Sequence, residues 1–379
     1  MSLGLYLHFP FCHNRCLYCD FYKELHDPAL ESRFYEALRI ETELAAVQSG
    51  TSDHEVATIY VGGGTPSLTS LELFGTWLRQ VKSVFHVSPQ VEFSFENNPE
   101  FVIPELLAGL KDLGVNRPTF GVQSFNPRLL HLLDRRHSPD DCHRAIYLAN
   151  TLAFENYGVD LLFGIPHQTS KLLSADLDQL VDLDPPHISF YQLTVEDGTP
   201  LQEDVRVGRL TVPGDELTTA HYRAVTETLR DAGYERYEVS SFAKPGCECK
   251  HNLRYWTGDD YLGLGPSAHS FIQGRRFANR RSVTDYIDSL ARGRRPLVVD
   301  ESGTEQRMLE TIMLSLRTAR GINRRRFRQR FGHSLEERLD RTQYDMFVES
   351  GHLIPDRGSL RLSDDGILVA DEITRRLIR

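Results

Sequence analysis

Short apolar runs recur through the first half of the chain, each followed by a polar or glycine-rich loop and then by an amphipathic stretch. The runs fall at residues 5–9, 57–61, 91–95, 117–122, 158–163 and 187–193. Helical spacing of apolar positions marks residues 33–47, 71–85, 104–113 and 142–152 between them. Strands that alternate with helices predict parallel βα units. Six units predict an α/β fold built on a partial (β/α)6, TIM-like barrel, with a doubly wound open sheet as the alternative. Pro118 falls inside the fourth run. It has no amide proton to give a ladder, so it belongs at a strand start or a bulge.

After about residue 295 the alternation stops. Residues 305–316, 324–331 and 335–350 read as helices, 351–362 as a short hairpin and 366–378 as a closing helix. The expected organisation is a barrel with a β-extension over 1–295, followed by a smaller C-terminal α+β, winged-helix-like domain over 296–379. Such modules often bind DNA, but the net charge of −10 argues against a general nucleic-acid binder. Packing or docking of a partner is the expected role. The arginines at 324, 325, 326, 328 and 330 read as a solvated helix face.

A length of 379 residues suits a barrel plus an appendage. A hydrophobic content of 40% and a charged content of 25% are those of a soluble globular protein. No apolar run approaches the ~18 residues of a membrane span. Six cysteines in this length, with no apolar leader pattern, point to a reducing cytoplasm.

The chemistry begins directly after the first run. Cys12, Cys16 and Cys19 stand as C-x3-C-x2-C. A [4Fe–4S] cube has four irons, so three thiolates leave one iron open for an exchangeable ligand. A structural zinc would want a fourth ligand, usually in a second C-x2-C pair. Cys142, Cys247 and Cys249 form no such pair, and His13 is too close to Cys12 to complete a tetrahedron without strain.

In barrels of this kind the reacting groups collect where the strands end. Here the second run leads into Gly62-Gly63-Gly64-Thr65-Pro66, the third into Glu96-Asn97-Asn98-Pro99 and the fourth into Gln123. The fifth carries Asp160 and the sixth Tyr191-Gln192. The triple glycine is neither a Walker A loop nor G-x-G-x-x-G. Lacking Cβ atoms, its backbone can approach a ligand closely. These residues together describe a site for a small polar molecule beside a cluster.

These motifs resemble the radical S-adenosylmethionine (SAM) proteins of the HemN/HemW group. The resemblance lies in Tyr6-x-His8-x-Pro10-Phe11-Cys12-x3-Cys16-x-Tyr18-Cys19-Asp20-Phe21, in the triple glycine, in Gly121-Val122-Gln123-Ser124-Phe125 and in the stretch from Asp160 to Thr169. It continues through Tyr191-Gln192-Leu193 to His251-Asn252-Leu253-Arg254-Tyr255-Trp256 and Tyr261-Leu262-Gly263-Leu264-Gly265. Oxygen-independent coproporphyrinogen dehydrogenases of this group carry a fourth cysteine two residues after the third, where this chain has Phe21. They also carry a long extension before the cluster strand, where this chain has 11 residues before Cys12. HemW heme chaperones lack both and carry H-N-x-x-Y-W, so the resemblance is closest to them.

The resemblance implies a [4Fe–4S] cluster on Cys12, Cys16 and Cys19. It implies SAM contacts at Tyr6, Tyr18, Gly63, Gly64, Thr65 and Glu96, with further contacts at Gln123, Arg135 and Asp160. Heme is implied as cargo, with His251 as its contact. An imidazole is a standard axial ligand, and Tyr255 and Trp256 offer flat apolar surface. Cys247, Cys249 and His269 are weaker candidates. The implied partners are an acceptor hemoprotein, including one reached by peripheral contact at a membrane, and an electron donor. The implied state is a monomer or a heme-dependent dimer. The rival expectations are oxidative decarboxylation of coproporphyrinogen III and a radical SAM reaction on another substrate.

Overall fold

Leu3, Leu5, Leu7 and Phe9 are all buried in the first strand, Ser2–Phe9, and Tyr6 and His8 alternate with them toward the barrel interior. A strand covered on both faces belongs inside a parallel sheet. The computed structural model describes residues 2–51, 53–300 and 302–378. Within them the expected strands are Ser2–Phe9, Glu55–Gly63, His86–Asn97, Arg117–Gln123, Gly158–Phe163 and His187–Gln192. They lie side by side in chain order, and every pairing between them is parallel. A doubly wound sheet reverses its order at a switch point. This one does not, so the winding is that of a partial barrel whose strand ends share one rim. Pro118 is the second residue of its strand, at the strand start where a residue without an amide proton is expected.

Both edges of the six-stranded core are extended. Tyr261–Leu264 pairs parallel with the first strand, Gly4 opposite Tyr261 and Leu7 opposite Leu264. His269–Ile272, Arg275–Asn279 and Leu297–Asp300 continue from it antiparallel. Ser241–Ala243 and Glu235–Arg236 cover the edge of the sixth strand. The first strand therefore faces an appended sheet rather than the sixth strand, and the barrel stays open.

Caps set the helices. The first, Pro28–Ser49, starts five residues before the amphipathic pattern suggests. Asp27 accepts from Leu30 N at 2.8 Å, Pro28 occupies the first turn, and Gly50 ends the helix at φ +65°. Ser138 and Asp141 close a capping box on Pro139–Thr151. With Leu71–Val84 and Pro104–Asp112, these helices bury Phe34, Leu38, Phe74, Trp77, Leu107 and Ile146 against the strands in one continuous core.

The C-terminal residues have a core of their own, built from Met308, Ile312, Leu316, Phe327, Leu360 and Ile373. A three-stranded sheet of Ile322–Asn323, Ser359–Leu362 and Leu353–Pro355 lies beside the helices. Two expected helices are each broken. The stretch 335–350 divides into a 3-10 turn, Leu335–Arg338, and an α-helix, Arg341–Glu349. Asp340 starts the latter by accepting from Gln343 N at 3.0 Å. The closing stretch divides at Val369 into Asp364–Leu368 and Ala370–Leu377. The arginine run is not a simple solvated face either. Arg324 pairs with Glu336, Arg326 with Asp259, and Arg330 lies over the rings of Phe271 and Phe331. Among the described residues no helix is long and apolar enough to cross a membrane.

Candidate functional site

After Phe9 the chain turns out of the barrel, and Phe11–Cys12 pairs with Glu24–Leu25. The cysteine loop is thus closed at its base by a two-residue ladder. Its body is tied to distant segments. Leu17 N donates to Leu133 O at 3.4 Å and Leu201 N to Leu17 O at 3.0 Å. Asn14 donates to Asp134 O at 3.0 Å and Arg281 to Asp20 O at 2.8 Å. His8 Nε2 bonds Tyr22 O at 2.8 Å, and the Tyr22 hydroxyl accepts from Val283 N at 2.6 Å.

Cys12, Cys16 and Cys19 are all free thiols, the first buried and the others half-buried. Burial pushes Cys12 up to about 11, and the neighbouring Cys19 and Cys16 add to the push, while the Thr65 hydroxyl at 3.4 Å opposes it. Cys16 is also raised by burial, and Arg135, with its guanidinium nitrogen 3.7 Å from the sulfur, works the other way. A strong positive charge at the loop favours the thiolate forms of Cys12 and Cys16 against this burial. Among the described residues no three His, Cys, Asp or Glu side chains converge as ligands of one metal ion. A cube that takes one thiolate per iron needs no such convergence, and the donor set fits it.

The triple glycine packs under this loop. Gly64 N donates to Phe9 O at 2.7 Å and Thr65 N to Phe11 O at 2.7 Å. A Cβ on Gly64 would sit 2.5 Å from Phe11 O. One on Gly63, at φ +114°, would sit 2.8 Å from His8 Nδ1. Close backbone approach is therefore needed for the loop itself, beyond any contact with a ligand. Gly64→Ala is expected to lower the urea midpoint by an amount worth about 1–3 kcal/mol, because a backbone carbonyl cannot yield as a side chain can.

A cavity of about 420 Å³ opens at the rim beside the loop. Tyr6, Gly63 and Glu96 of the expected SAM set line it, with Phe21, Tyr255 and His269 opposite. Phe21 is 65% exposed there. Glu96 accepts from the Tyr60 hydroxyl at 2.8 Å. Burial raises its carboxyl to about 7, and nearby Asp160 adds to the rise. Asp160 itself is raised by burial to about 6, opposed by the Ser189 hydroxyl.

Six expected SAM residues do not line this cavity, and two of them, Gly64 and Thr65, form the turn under the cysteine loop. Tyr18 packs against a small apolar cluster that includes Leu129, Leu162 and Leu193. Gln123 ends its strand in the left-handed region, φ +68°. Arg135 donates to Asn98 Oδ1 at 2.9 Å and Gly121 O at 3.0 Å, with its buried Nε unpartnered. Asp160 lies behind Glu96, within range of its charge.

His251 is fully buried in the helix Lys250–Thr257. Its Nδ1 bonds the Thr58 hydroxyl at 2.8 Å and its Nε2 the Tyr255 hydroxyl at 2.9 Å. Burial lowers it to about 3, so it is neutral, with both ring nitrogens engaged. Ligation of a heme iron by His251 requires Tyr255 to swing away. Cys249 is buried with its thiol 3.7 Å from Glu92, facing away from the rim cavity.

His8, Tyr22 and Arg281 are the working residues that the sequence did not single out for a role. His8 carries a hint in its alternation with Tyr6. Arg281 carries none, since it lies 261 residues from the loop carbonyl it holds.

Residues 6–180 match the model of the radical SAM superfamily, and 304–369 that of the HemN C-terminal domain. The chain is 35% identical over 370 residues to "Heme chaperone HemW" of Bacillus subtilis, covering 97% of each. It is 37% identical over 381 residues to "Heme chaperone HemW" of Mycobacterium tuberculosis, covering 99% of this chain and 94% of that one. The solved structure of coproporphyrinogen III oxidase (HemN) from Escherichia coli superposes with a TM-score of 0.85 at 20% identity, over 99% of this chain and 89% of that one, a likeness of fold. The three-cysteine loop, the glycine turn beneath it and this full-length likeness agree: the chain belongs to the radical SAM superfamily, and within it to the HemW family.

Proposed function

We propose that this protein is a [4Fe–4S]- and SAM-binding heme chaperone that binds heme and passes it to an acceptor hemoprotein in the cytoplasm. The observation that carries this is the likeness over nearly the whole chain to relatives that bear that name. Phe21, exposed at the rim where the dehydrogenases of the group carry a further cysteine, is consistent with it. Cys12, Cys16 and Cys19 hold the cluster, and Arg135 and Thr65 offset the thiolate charge. Tyr6, Gly63 and Glu96 bound the space for SAM, with Tyr18, Gly64, Gln123, Arg135 and Asp160 around it. When bound, the cluster supplies single-electron chemistry at its open iron. The barrel holds the cysteine loop beside the cavity, so a cluster bound there would adjoin the space for SAM.

The test is transfer. The anaerobically reconstituted protein, loaded with heme, is mixed with apo-forms of candidate hemoproteins and followed by absorbance. Heme that moves to an acceptor faster than from free solution supports the reading. Stoichiometric conversion of coproporphyrinogen III to protoporphyrinogen in the presence of SAM and a reductant sinks it.

Glu96 gives the SAM site a pH dependence. Its carboxyl is neutral well below pH 7 and ionised above it. SAM carries a sulfonium and an ammonium, so its affinity is expected to rise between pH 6 and pH 8 and to be flat in Glu96→Gln. The free protein responds in the opposite sense. The folded form keeps a proton that the unfolded chain releases near pH 4.5, so Glu96's contribution to stability falls as pH rises toward about 7. Calorimetric titrations with SAM in two buffers of different ionisation enthalpy check the first part, and thermal melts across the same range check the second.

A further inference from the structure

A trough runs away from the rim cavity, between the appended strands and the C-terminal helices. It comprises two adjoining cavities of about 330 and 520 Å³ that share Gly258, Arg307 and Arg330. Tyr255, Tyr261 and His269 form the wall between the trough and the rim cavity, lining both. The trough is thus next to the cluster loop's own cavity, and of the residues expected to meet heme it holds Tyr255 and His269 but not His251.

Its cations are unevenly matched. Arg276 is paired with Glu310 at 3.0 Å, and Arg326 with Asp259. Arg307 and Arg330 have no ion pair among the described residues. Arg330 rests on the rings of Phe271 and Phe331, 5.3 and 5.4 Å from their centroids. Arg307 donates to Gly274 O at 2.6 Å and the Thr304 hydroxyl at 2.9 Å, and its buried Nε has no partner. Two glycines in the left-handed region make the room. A Cβ on Gly258 would sit 2.5 Å from Arg330 Nη1, and one on Gly274 2.8 Å from Arg307 Nη1. Asp259 and Asp260 act on Arg330 only beyond ion-pair distance, and a partly buried guanidinium group without a counter-ion in contact is costly, a cost that an anionic ligand relieves.

The rest of the wall is aromatic. Tyr255 meets Tyr261 edge to face at 4.7 Å, and Tyr261 stacks on Phe271 at 6.4 Å. His269 is exposed and, among the described residues, its imidazole makes no hydrogen bond. Partial desolvation against the wall and the nearby Arg276 and Arg281 disfavour its protonation, which leaves a lone pair for a metal. It offers what His251 lacks.

The geometry points to this trough as the seat of the heme: Arg307 and Arg330 take the two carboxylates, Tyr261 and Phe271 face the macrocycle, and His269 binds its iron. The inference rests on the proposed heme-chaperone function. It places the iron against the wall shared with the cluster's cavity, which is where an electron from the cluster would arrive.

Three porphyrins separate the parts: heme, iron-free protoporphyrin and heme dimethyl ester, each titrated into the full chain. The wild-type protein is expected to bind heme and protoporphyrin at least about tenfold more tightly than the ester, because only the free acids engage the guanidinium groups. Arg307→Met with Arg330→Met removes that preference. His269→Ala changes the heme absorption spectrum and leaves the protoporphyrin affinity unchanged. If wild-type protein prefers the free acids no more than the ester, or if His269→Ala leaves the heme spectrum unaltered, the seat is elsewhere and the chaperone function still stands. If heme does not bind at all, the chaperone function fails and the seat fails with it. The ester comparison is made on the native chain and does not depend on any variant folding.

Discussion

Cys16→Ser is expected to abolish cluster assembly. Anaerobic reconstitution should place about four irons on each wild-type chain and close to none on the variant, and the charge-transfer absorption of the cluster should vanish with them. The reason is local. The three thiols occupy one short loop closed by the Phe11–Cys12 and Glu24–Leu25 ladder, so no other cysteine can substitute. Cys142 and Cys249 are buried elsewhere, and Cys247 precedes the helix of His251. A serine fits the same space, so the metal-free fold should lose no more than about 1 kcal/mol, which a thermal melt of the unreconstituted protein will show. Four irons retained on Cys16→Ser would mean that the loop does not hold the cluster. One zinc per chain in place of iron would revive the structural-metal alternative.

The strand ends were legible because burial on two faces writes a continuous apolar run, and six runs survive in the sequence almost unbroken. The cysteine spacing and the triple glycine were legible for a different reason. Each is a short-range requirement, a ligand set within eight residues and a turn without Cβ atoms. The helix starts were less so, since the pattern of apolar residues begins a turn after Asp27 and Ser138 have already fixed the first hydrogen bonds. The appended strands 269–272, 275–279 and 297–300 were the least legible. They are short, arginine-rich or exposed, as with Val298 and Val299, and take their register only from neighbours. The partners of His251 were hidden for the same reason. Thr58 lies 193 residues away, and the bond between them engages one ring nitrogen of a histidine that looks like a ligand in the sequence.

Glu41 holds that appended sheet, and Glu41→Ala is expected to destabilise the protein by about 3–5 kcal/mol. The carboxylate is fully buried in the first helix. It accepts from Gly265 N at 2.8 Å, Asn279 Nδ2 at 2.7 Å, the Tyr286 hydroxyl at 2.6 Å and Arg295 Nε at 3.3 Å. Those four donors belong to the turn after Tyr261–Leu264, the strand Arg275–Asn279, the helix Val283–Ala291 and the loop beyond it. One side chain therefore gathers the extension that carries His269 onto the barrel. Its loss strands Arg295, whose side chain is only 2% exposed and whose Nη2 already lacks a partner. Most of the cost is that uncompensated charge, so Glu41→Ala with Arg295→Met should recover a large part of it. Hydrogen exchange gives the spatial check. The amides of 261–280 should lose protection in Glu41→Ala before those of the central strands do, because the extension opens at its clamp. Uniform loss across the barrel would show instead that the extension and the core unfold as one unit, and little or no recovery in the double variant would place the energy in the three hydrogen bonds from neutral donors rather than in the stranded arginine.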